Sequence, residues 1–354
     1  MSQVKLSCLV LVVVLTPLFC GGGAGKDRTY VSGNSSLILD GVNCGFLKSV
    51  DGGAISAEVI NEPAGPSYFV KKHIGQPRYQ EFEVQVGLNA NKALYDWIAQ
   101  SWVMKYQRKS GSIVAMDYQL NAKSQRQFTS ALITETTVPA LDGSSKEPAY
   151  LTIKFAPEII RTLKSADKPA GDYGKSEQKL FLPSNFQLQI DGLDCSKVNR
   201  IEPLTVKQTA ITDDIGEARD HLKEPGKLEF PNLKITVAEA AAQPFIDWHE
   251  DFVIQGNNDE KKEKNGTLTL LAPNRKDVLA RIKFFNLGIF RVQPPKTEAN
   301  ADQLARVQVE MYVERMEFEF VAAGSGSGST ETKPGEAAPT PTPAKPVTPR
   351  LRLG

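Results

Sequence analysis

Histidine and cysteine are scarce in this chain of 354 residues. The three histidines, His73, His221 and His249, lie far apart in the sequence, so they do not indicate a histidine-based metal site. The net charge of +1 gives no electrostatic reason to expect binding to nucleic acid or to an anionic membrane. No phosphate loop, dinucleotide fingerprint, nucleophile elbow or zinc spacing is present. These absences favour a protein that is not an enzyme and that binds no cofactor or metal.

Long apolar runs are also lacking, apart from one at residues 6–19. This run is shorter than the ~20 residues that a membrane-spanning helix needs. Lys5 precedes it and small residues follow it, which is typical of a secretory signal peptide. We predict a signal peptide over residues 1–24, no stable membrane span after its removal, and a secreted or periplasmic location. A lipid anchor at Cys20 is the alternative, disfavoured because bulky Phe19 stands where lipoprotein signals have a small residue.

A short pattern, Asp-Gly-x-x-Cys, occurs twice, at residues 40–44 and 191–195. The two occurrences are 151 residues apart, and the same separation relates Asp96-Trp97 to Asp247-Trp248. Towards the end of each copy the separation becomes 156 residues, so that Glu158 corresponds to Glu314. A repeat of this length is far longer than a solenoid unit. It therefore indicates a duplicated domain.

The two copies have the same predicted order of elements. A short strand ends at the Asp-Gly turn, and a second strand leads into an irregular stretch rich in proline and glycine. A strand with strict apolar and polar alternation follows, then a helix and three more strands. The predicted second strands and irregular stretches lie at residues 55–60 and 61–78 in copy 1 and at residues 204–211 and 212–227 in copy 2. We interpret the irregular stretches as interface loops, because loops of such length inside a compact domain are usually functional.

The predicted helices are amphipathic on a single face. The apolar stripe comprises Leu94, Trp97, Ile98 and Trp102 in copy 1, and Phe245, Trp248, His249, Phe252 and Val253 in copy 2. In the last strand of copy 2, the apolar positions change phase between Val313 and Met316. We predict a β-bulge near residues 314–315 from this change.

Two tryptophans and two cysteines are the predicted structural anchors of the core. Trp97 and Trp248 are expected to seat each helix on its sheet. Cys44 and Cys195 are expected to be core residues next to a turn, although an oxidising compartment would also permit a disulfide between them. The predicted interface-loop residues are Tyr68, Phe69, His73 and His221.

These patterns predict a mainly β (α+β) protein, built from two tandem antiparallel β-sandwich or barrel domains that each carry one packed α-helix. The predicted division of the chain is residues 1–24 (signal peptide), 30–160 (copy 1), 161–185 (linker), 186–321 (copy 2) and 322–354 (tail). The tail is rich in Gly, Ser, Pro and Thr and has almost no apolar anchors, so we expect it to be disordered.

The order of elements resembles the phage tail tube proteins and the related tubes of contractile injection systems. The resemblance is carried by KKHIGQPRYQEFEVQVG (71–87), NKALYDWIAQSW (91–102) and AYLTIKFAPEII (149–160) in copy 1, and by LQIDGLDC (188–195), LEFPNLKITV (228–237), PFIDWHEDFV (244–253) and RVQVEMYVERMEFEF (306–320) in copy 2. It implies a partly closed β-barrel or sandwich with an external helix. It also implies rings of six such domains, joined edge to edge and stacked through the long loop.

The resemblance and the duplication together suggest a particular assembly. Family members usually carry one domain and assemble in the cytoplasm, whereas this chain carries two and has a signal for export. We therefore predict an exported structural protein that self-associates through sheet edges and long loops, with three chains forming a pseudo-hexameric ring. The alternative is a secreted, monomeric binding module for a glycan, a surface or a partner protein.

Overall fold

The computed structural model describes residues 33–63, 70–88, 90–164, 181–213, 220–294 and 305–321. The predicted signal peptide, the predicted tail and most of the predicted linker lie outside these residues. The elements of copy 1 are β1 (Asn34–Leu39), β2 (Val42–Leu47), β3 (Ser49–Gly52), β4 (Ile55–Pro63), β5 (Val70–Tyr79), β6 (Phe82–Val86), α1 (Lys92–Trp102), β7 (Lys109–Met116), β8 (Ala122–Val138), β9 (Leu141–Asp142), β10 (Leu151–Ala156) and β11 (Ile159–Lys164).

Copy 2 repeats this order with fewer and longer strands. Its elements are β12 (Phe186–Ile190), β13 (Val198–Ile201), β14 (Leu204–Asp213), β15 (Leu222–Glu229), β16 (Leu233–Ala238), α2 (Gln243–His249), β17 (Lys264–Leu271), β18 (Val278–Gln293) and β19 (Arg306–Phe320). A single 3-10 turn precedes α2, and a π-helical turn, Glu250–Ile254, continues it. The predicted mainly β class, with two antiparallel copies that each carry a helix, is confirmed.

Hydrogen bonding between strands continues from one copy into the other. One sheet runs in the order β2-β1-β7-β8-β10-β6-β3, and β14 of copy 2 joins it by pairing with β8. The other large sheet runs β12-β17-β18-β19-β16-β13-β9, so that its last strand comes from copy 1. The main cluster of buried apolar side chains likewise contains residues from both copies. The two copies therefore share their sheets and their core.

Helix α1 forms where the sequence supplies a cap and an uninterrupted apolar spacing. The side chain of Asn91 accepts a hydrogen bond from the backbone N–H of Ala93 at 3.0 Å, which satisfies one of the free amides at the helix start. Neither glycine nor proline occurs within the helix. The predicted stripe is buried, but Tyr95 and Ser101 are buried as well. The expectation of a single buried face is therefore wrong for α1, because copy 2 covers its second side.

The expectation that residues 61–78 and 212–227 form irregular stretches is wrong for the described residues. Their described parts are arms of two β-hairpins, β4–β5 and β14–β15. The prediction rested on the proline and glycine content of these stretches. Each hairpin, however, accommodates these residues at a register irregularity. In β4–β5 the irregularity lies between Ala57 and Val59, and Pro77 still pairs with Ala57.

The predicted bulge at residues 314–315 is not present, although the phase of the side chains does change there. The pairing of β18 with β19 keeps one register from Ala280 to Ile289, and the irregularity follows, between Ile289 and Arg291. Asn286, which lies opposite, adopts a left-handed backbone conformation with φ 56°. Both strands therefore change phase together, and no residue has to be inserted. The Asn286 side chain donates a hydrogen bond to Glu314 at 2.9 Å across this point.

None of the helices in the described part of the chain has the length and the apolar character needed to cross a membrane.

Candidate assembly interface

The two copies meet along a joint formed by strand pairing. The C-terminal part of β8 lies between β10 on one side and β14 on the other. The β8–β14 register runs from Val138 opposite Leu204 to Glu135 opposite Lys207. Leu204 and Val206 are buried there, and the hydroxyl groups of Thr137 and Thr205 lie 3.0 Å apart. We call this contact, together with the packing described next, the internal joint.

Helix α1 supplies the apolar part of the internal joint. The ring of Tyr95 stacks on Phe320 of β19, with ring centroids 4.0 Å apart. Trp102 meets Phe318 edge to face at 5.6 Å. The Tyr95 hydroxyl donates a hydrogen bond to the backbone oxygen of Gly87 at 2.7 Å, so this buried polar group is satisfied. Burial raises the pKa of this phenol far above its usual value, and Tyr95 therefore stays neutral.

Polar contacts fix the β14–β15 hairpin over copy 1. The Ser101 hydroxyl donates to the side-chain oxygen of Gln208 at 2.8 Å, and both residues are buried. Arg108 donates to the backbone oxygen of Lys223 at 2.8 Å and forms an ion pair with Glu224 at the same distance. These contacts are directional, so they set the position of the hairpin on the apolar surface.

Lys223 and Tyr79 show that this region is partly removed from water. The Lys223 backbone N–H donates to Glu158 at 3.1 Å, and burial lowers the pKa of the Lys223 side chain. The Tyr79 hydroxyl donates to Asp220 at 2.6 Å and accepts a hydrogen bond from Arg161 at 2.9 Å. Burial, reinforced by the Asp220 carboxylate, raises the pKa of Tyr79.

A second strand contact lies at the far end of the joint. Strand β9 of copy 1 pairs with β13 of copy 2, with Leu141 opposite Ile201 and Asp142 opposite Arg200. The Arg200 guanidinium lies 3.3 Å from the Asp142 carboxylate. The internal joint thus combines two strand pairings, one aromatic cluster and several charged contacts.

The corresponding surfaces at the outer ends of the chain are open. Hairpin β4–β5 is the counterpart of β14–β15, but it forms a separate two-stranded sheet in which every residue of β4 is exposed. Ile55 corresponds to Val206, and their exposed fractions are 50% and 2%. Val59, Ile60, Val70 and Ile74 are further exposed apolar side chains of this hairpin.

The opposite end of the chain presents the complementary surface. The C-terminal part of β18 pairs with β19 on one side and, among the described residues, with no strand on the other. On the neighbouring helix, Ile246 and Val253 correspond to Tyr95 and Trp102 of α1. Ile246 is 39% exposed and Val253 is 42% exposed, whereas Tyr95 and Trp102 are almost completely buried.

The predicted core anchors all lie inside the protein. Trp97 donates its indole N–H to the backbone oxygen of Gln107 at 2.8 Å and packs against Phe155. Trp248 is buried beneath Lys264, whose ammonium lies 5.3 Å from the ring centroid. Cys44 and Cys195 are buried, unbridged thiols, and burial raises the pKa of each to about 11. They therefore stay protonated near neutral pH.

Of the four predicted interface-loop residues, His73 and His221 lie on or beside the two hairpins. Tyr68 and Phe69 fall outside the described residues. His73 is exposed on β5 and lies 3.1 Å from Glu62. His221 is buried next to the start of β15. The structure does not bring the two histidines together, and no group of potential metal ligands is found among the described residues. The burial of the joint residues Tyr95 and Gln208 was not predicted, because Tyr95 lies off the apolar stripe and Gln208, although it continues the alternation of Leu204 and Val206, is polar.

Comparison with known proteins agrees with the duplicated architecture. Residues 36–161 and, separately, residues 182–317 match a family model described as "T4-like virus tail tube protein gp19". No curated protein sequence matches the chain.

Several solved structures align with a part of this chain. A chain of the anti-feeding prophage baseplate is 15% identical, with 39% of this chain and 92% of that chain covered and a TM-score of 0.32. A chain of the sheath–tube complex of PVC, an extracellular contractile injection system, is 18% identical, covers 38% and 88%, and has a TM-score of 0.29. Hcp1 from Flavobacterium johnsoniae is 13% identical, covers 38% and 93%, and has a TM-score of 0.23.

Proposed function

This chain belongs to the family of the T4-like virus tail tube protein gp19, and we propose that it is an exported structural protein whose copies join head to tail into rings. The observation that carries the proposal is the internal joint. It connects two copies of the fold within one chain, and its two halves recur as open surfaces at opposite ends of the same chain. The contact that joins the two copies within one chain can therefore also form between two chains.

The proposed contact places β4 of one chain against the C-terminal part of β18 in the next. Carrying over the register of the internal joint sets Ile55 opposite Val292 and Ser56 opposite Arg291. Pairing would satisfy the free backbone groups of both strands and bury the exposed apolar side chains of the hairpin. Ile246 of α2 and Val253 of the π-helical turn that continues it would be covered by the next chain, where Thr162 and Lys164 stand at the positions of Phe318 and Phe320.

Closure of the ring follows from the type of contact. Opposite surfaces of one chain meet, so the association is heterologous, and it ends only if the rotation closes. The family resemblance implies rings of six domains, which three chains of two copies would supply. Closure would remove the open edges that a single chain exposes. In this arrangement the ends of the hairpins that lie outside the contact would be available for contacts between stacked rings, the role that the sequence predicts for Tyr68 and Phe69.

The role outside the cell rests on the N-terminal sequence. Removal of residues 1–24 would leave Cys44 and Cys195 as the only cysteines of the mature chain. If the signal peptide is removed after Ala24, N-terminal sequencing of the exported protein should begin at Gly25. An N-terminus blocked by lipid at Cys20 would instead indicate a protein that is anchored to a membrane. Family membership also supports a structural role over an enzymatic one.

The assembly is tested by measuring the solution mass of the purified chain by light scattering over a concentration series. We expect a species of three chains, or stacks of it. Ile55→Asp should convert this species to single chains, because it places a charge inside the proposed contact. The matched control is Ile211→Asp, which makes the same change on the exposed part of the hairpin that is already docked. A wild-type chain that stays monomeric at every concentration would contradict the ring and favour the monomeric binding module.

A further inference from the structure

The two copies differ at the outer edge of their first strand. In copy 1 the Asp40-Gly41 turn has positive φ at both residues, and the chain returns as β2, which covers the edge of β1. In copy 2 only Gly192 of the corresponding turn has positive φ. Residues 193–197 then form a single bridge, between Leu193 and Ile190, in place of a returning strand. Strand β12 therefore ends its sheet with an edge that no described strand covers.

The backbone groups on this open edge can be identified from the strand register. The Asp191 N–H donates to the backbone oxygen of Asn265 at 2.9 Å, so Asp191 faces β17. Because backbone groups alternate along a strand, Gln187 and Gln189 face β17 as well, and Phe186 and Leu188 direct theirs outward. In copy 1 the corresponding positions are Ser35, which pairs with Leu47 of β2, and Leu37, which lies at the register irregularity between Ser36 and Ile38.

A groove runs beside this edge. Its volume is about 320 Å³, and β12 forms one wall over its whole length. Leu193, Asp194 and Cys195 contribute to the opposite wall. The groove thus offers a row of free backbone groups, one carboxylate and the small exposed parts of Leu188 and Ile190. This is the arrangement that accepts an extended segment as an added strand.

We propose that the C-terminal end of this same chain, residues 350–354, docks as a strand on the open edge of β12. This segment reads RLRLG, in which Leu351 and Leu353 alternate with Arg350 and Arg352. Alternation places both leucines on one face, where they can enter the groove. The arginines then lie on the other face of the strand, where their charges stay in water.

The tail begins close to this edge. Phe320 pairs with Ala280, Ala280 with Leu270, and Leu270 with Phe186, so the last residue of β19 lies three strand spacings from the start of β12. At about 4.8 Å per spacing this is roughly 14 Å. The 28 residues from 322 to 349 span about 30 Å as a flexible coil, which is enough to approach the edge from either end.

The test compares amide hydrogen exchange in the full chain with that in a Leu351→Asp/Leu353→Asp variant. We expect the amides of Phe186 and Leu188 to exchange at least ~10-fold faster in the variant, because they lose their partners. The amide of Gln189 faces β17 and should not change. Ala337→Asp/Ala338→Asp, which adds the same charge elsewhere in the tail, is the matched control and should leave all three amides unchanged.

A second measurement uses a labelled peptide of residues 345–354 added to the Leu351→Asp/Leu353→Asp chain. Saturable binding that restores protection at Leu188 supports the proposal, and a scrambled peptide should not bind. If Leu188 is protected equally in the full chain and the variant, another segment, such as residues 165–180, covers the edge and the proposal is wrong. If it exchanges fast in both, the edge is open to a different molecule and the proposal is also wrong. The solution mass of the variant is expected to equal that of the full chain, so failure here is distinguishable from failure of the ring.

Discussion

Helices α1 and α2 occupy the same place in the two copies but differ in how much of their surface is buried. Helix α1 buries one face on its own sheet and a second face on Phe318 and Phe320 of copy 2. Helix α2 buries only the first face, through Phe245 and Trp248. The difference arises because α1 lies at the internal joint and α2 lies at an end of the chain. The helix surface that is covered in copy 1 is therefore exposed to solvent in copy 2.

The two hairpins, which form the other side of this contact, differ in burial in the same way. Hairpin β14–β15 has docked and buries Leu204, Val206 and Gln208. Hairpin β4–β5 leaves its apolar side chains in water. A duplicated chain therefore contains an internal reference for its own assembly, against which substitutions at the open surfaces can be compared.

The largest expected effect comes from the same substitution in the two hairpins. Val206→Asp should lower the free energy of unfolding of the single chain by about 4–5 kcal/mol, because it buries a carboxylate without a partner. Ile55→Asp should change it by less than about 0.5 kcal/mol, because the side chain is exposed in the single chain. Urea denaturation of the two variants, at a concentration where wild-type chains are monomeric, measures both values. Equal losses would mean that the hairpins do not differ in docking.

A smaller difference is expected between the two helices. Trp102→Ala should destabilise the chain by about 3–4 kcal/mol, since it removes a fully buried aromatic side chain from the joint. Val253→Ala, at the corresponding position of α2, should cost under about 1 kcal/mol in the single chain and more in the ring. Thermal and urea denaturation, at concentrations below and above assembly, separate these contributions. A Val253→Ala chain that is strongly destabilised as a monomer would show that α2 is already covered.

The smallest expected difference concerns the two cysteines, which should behave alike. Burial raises the pKa of both thiols from the usual value near 9 to about 11, so the folded state disfavours the thiolate. Stability should be unaffected below pH 9 and should fall as the pH rises from 9 towards 11, because only the unfolded chain then gains from ionisation. At pH 8, alkylation of the folded chain should be at least ~100-fold slower than that of the unfolded chain, at both positions. Rapid labelling of Cys44 or Cys195 alone would reveal an opening confined to one copy.

Local patterns were sufficient to predict much of the fold. The 151-residue separation between Asp40 and Asp191 identified the duplication, and the alternation of Phe82, Val84 and Val86 identified a strand that is buried on one face. The helix stripe containing Trp97 was predicted for the same reason. Each of these signals is a spacing within a single element, so it can be read from a short stretch of chain.

The errors occurred where one element depends on another. The returning arms of the hairpins were interpreted as loops because residues such as Pro77 and Gly75 normally interrupt a strand, and only pairing with β4 shows that the ribbon tolerates them. The change of phase near Glu314 suggested an inserted residue, whereas a left-handed Asn286 on the opposite strand accounts for it. The burial of Tyr95 could not be predicted either, because its partner Phe320 lies in the other copy.

The sequence by itself therefore determined the repeat, the mainly β class, the position of the helices and the family resemblance, because periodicity and spacing are properties of one chain segment. The tertiary structure alone decided that the copies share a sheet, that α1 is covered on two sides and that no described strand covers the outer edge of β12. These features depend on hydrogen bonds and apolar contacts between residues far apart in the chain, such as Thr137 with Thr205. The Asp-Gly turns of the two copies even differ in backbone conformation, with positive φ at both residues in copy 1 and at the glycine alone in copy 2.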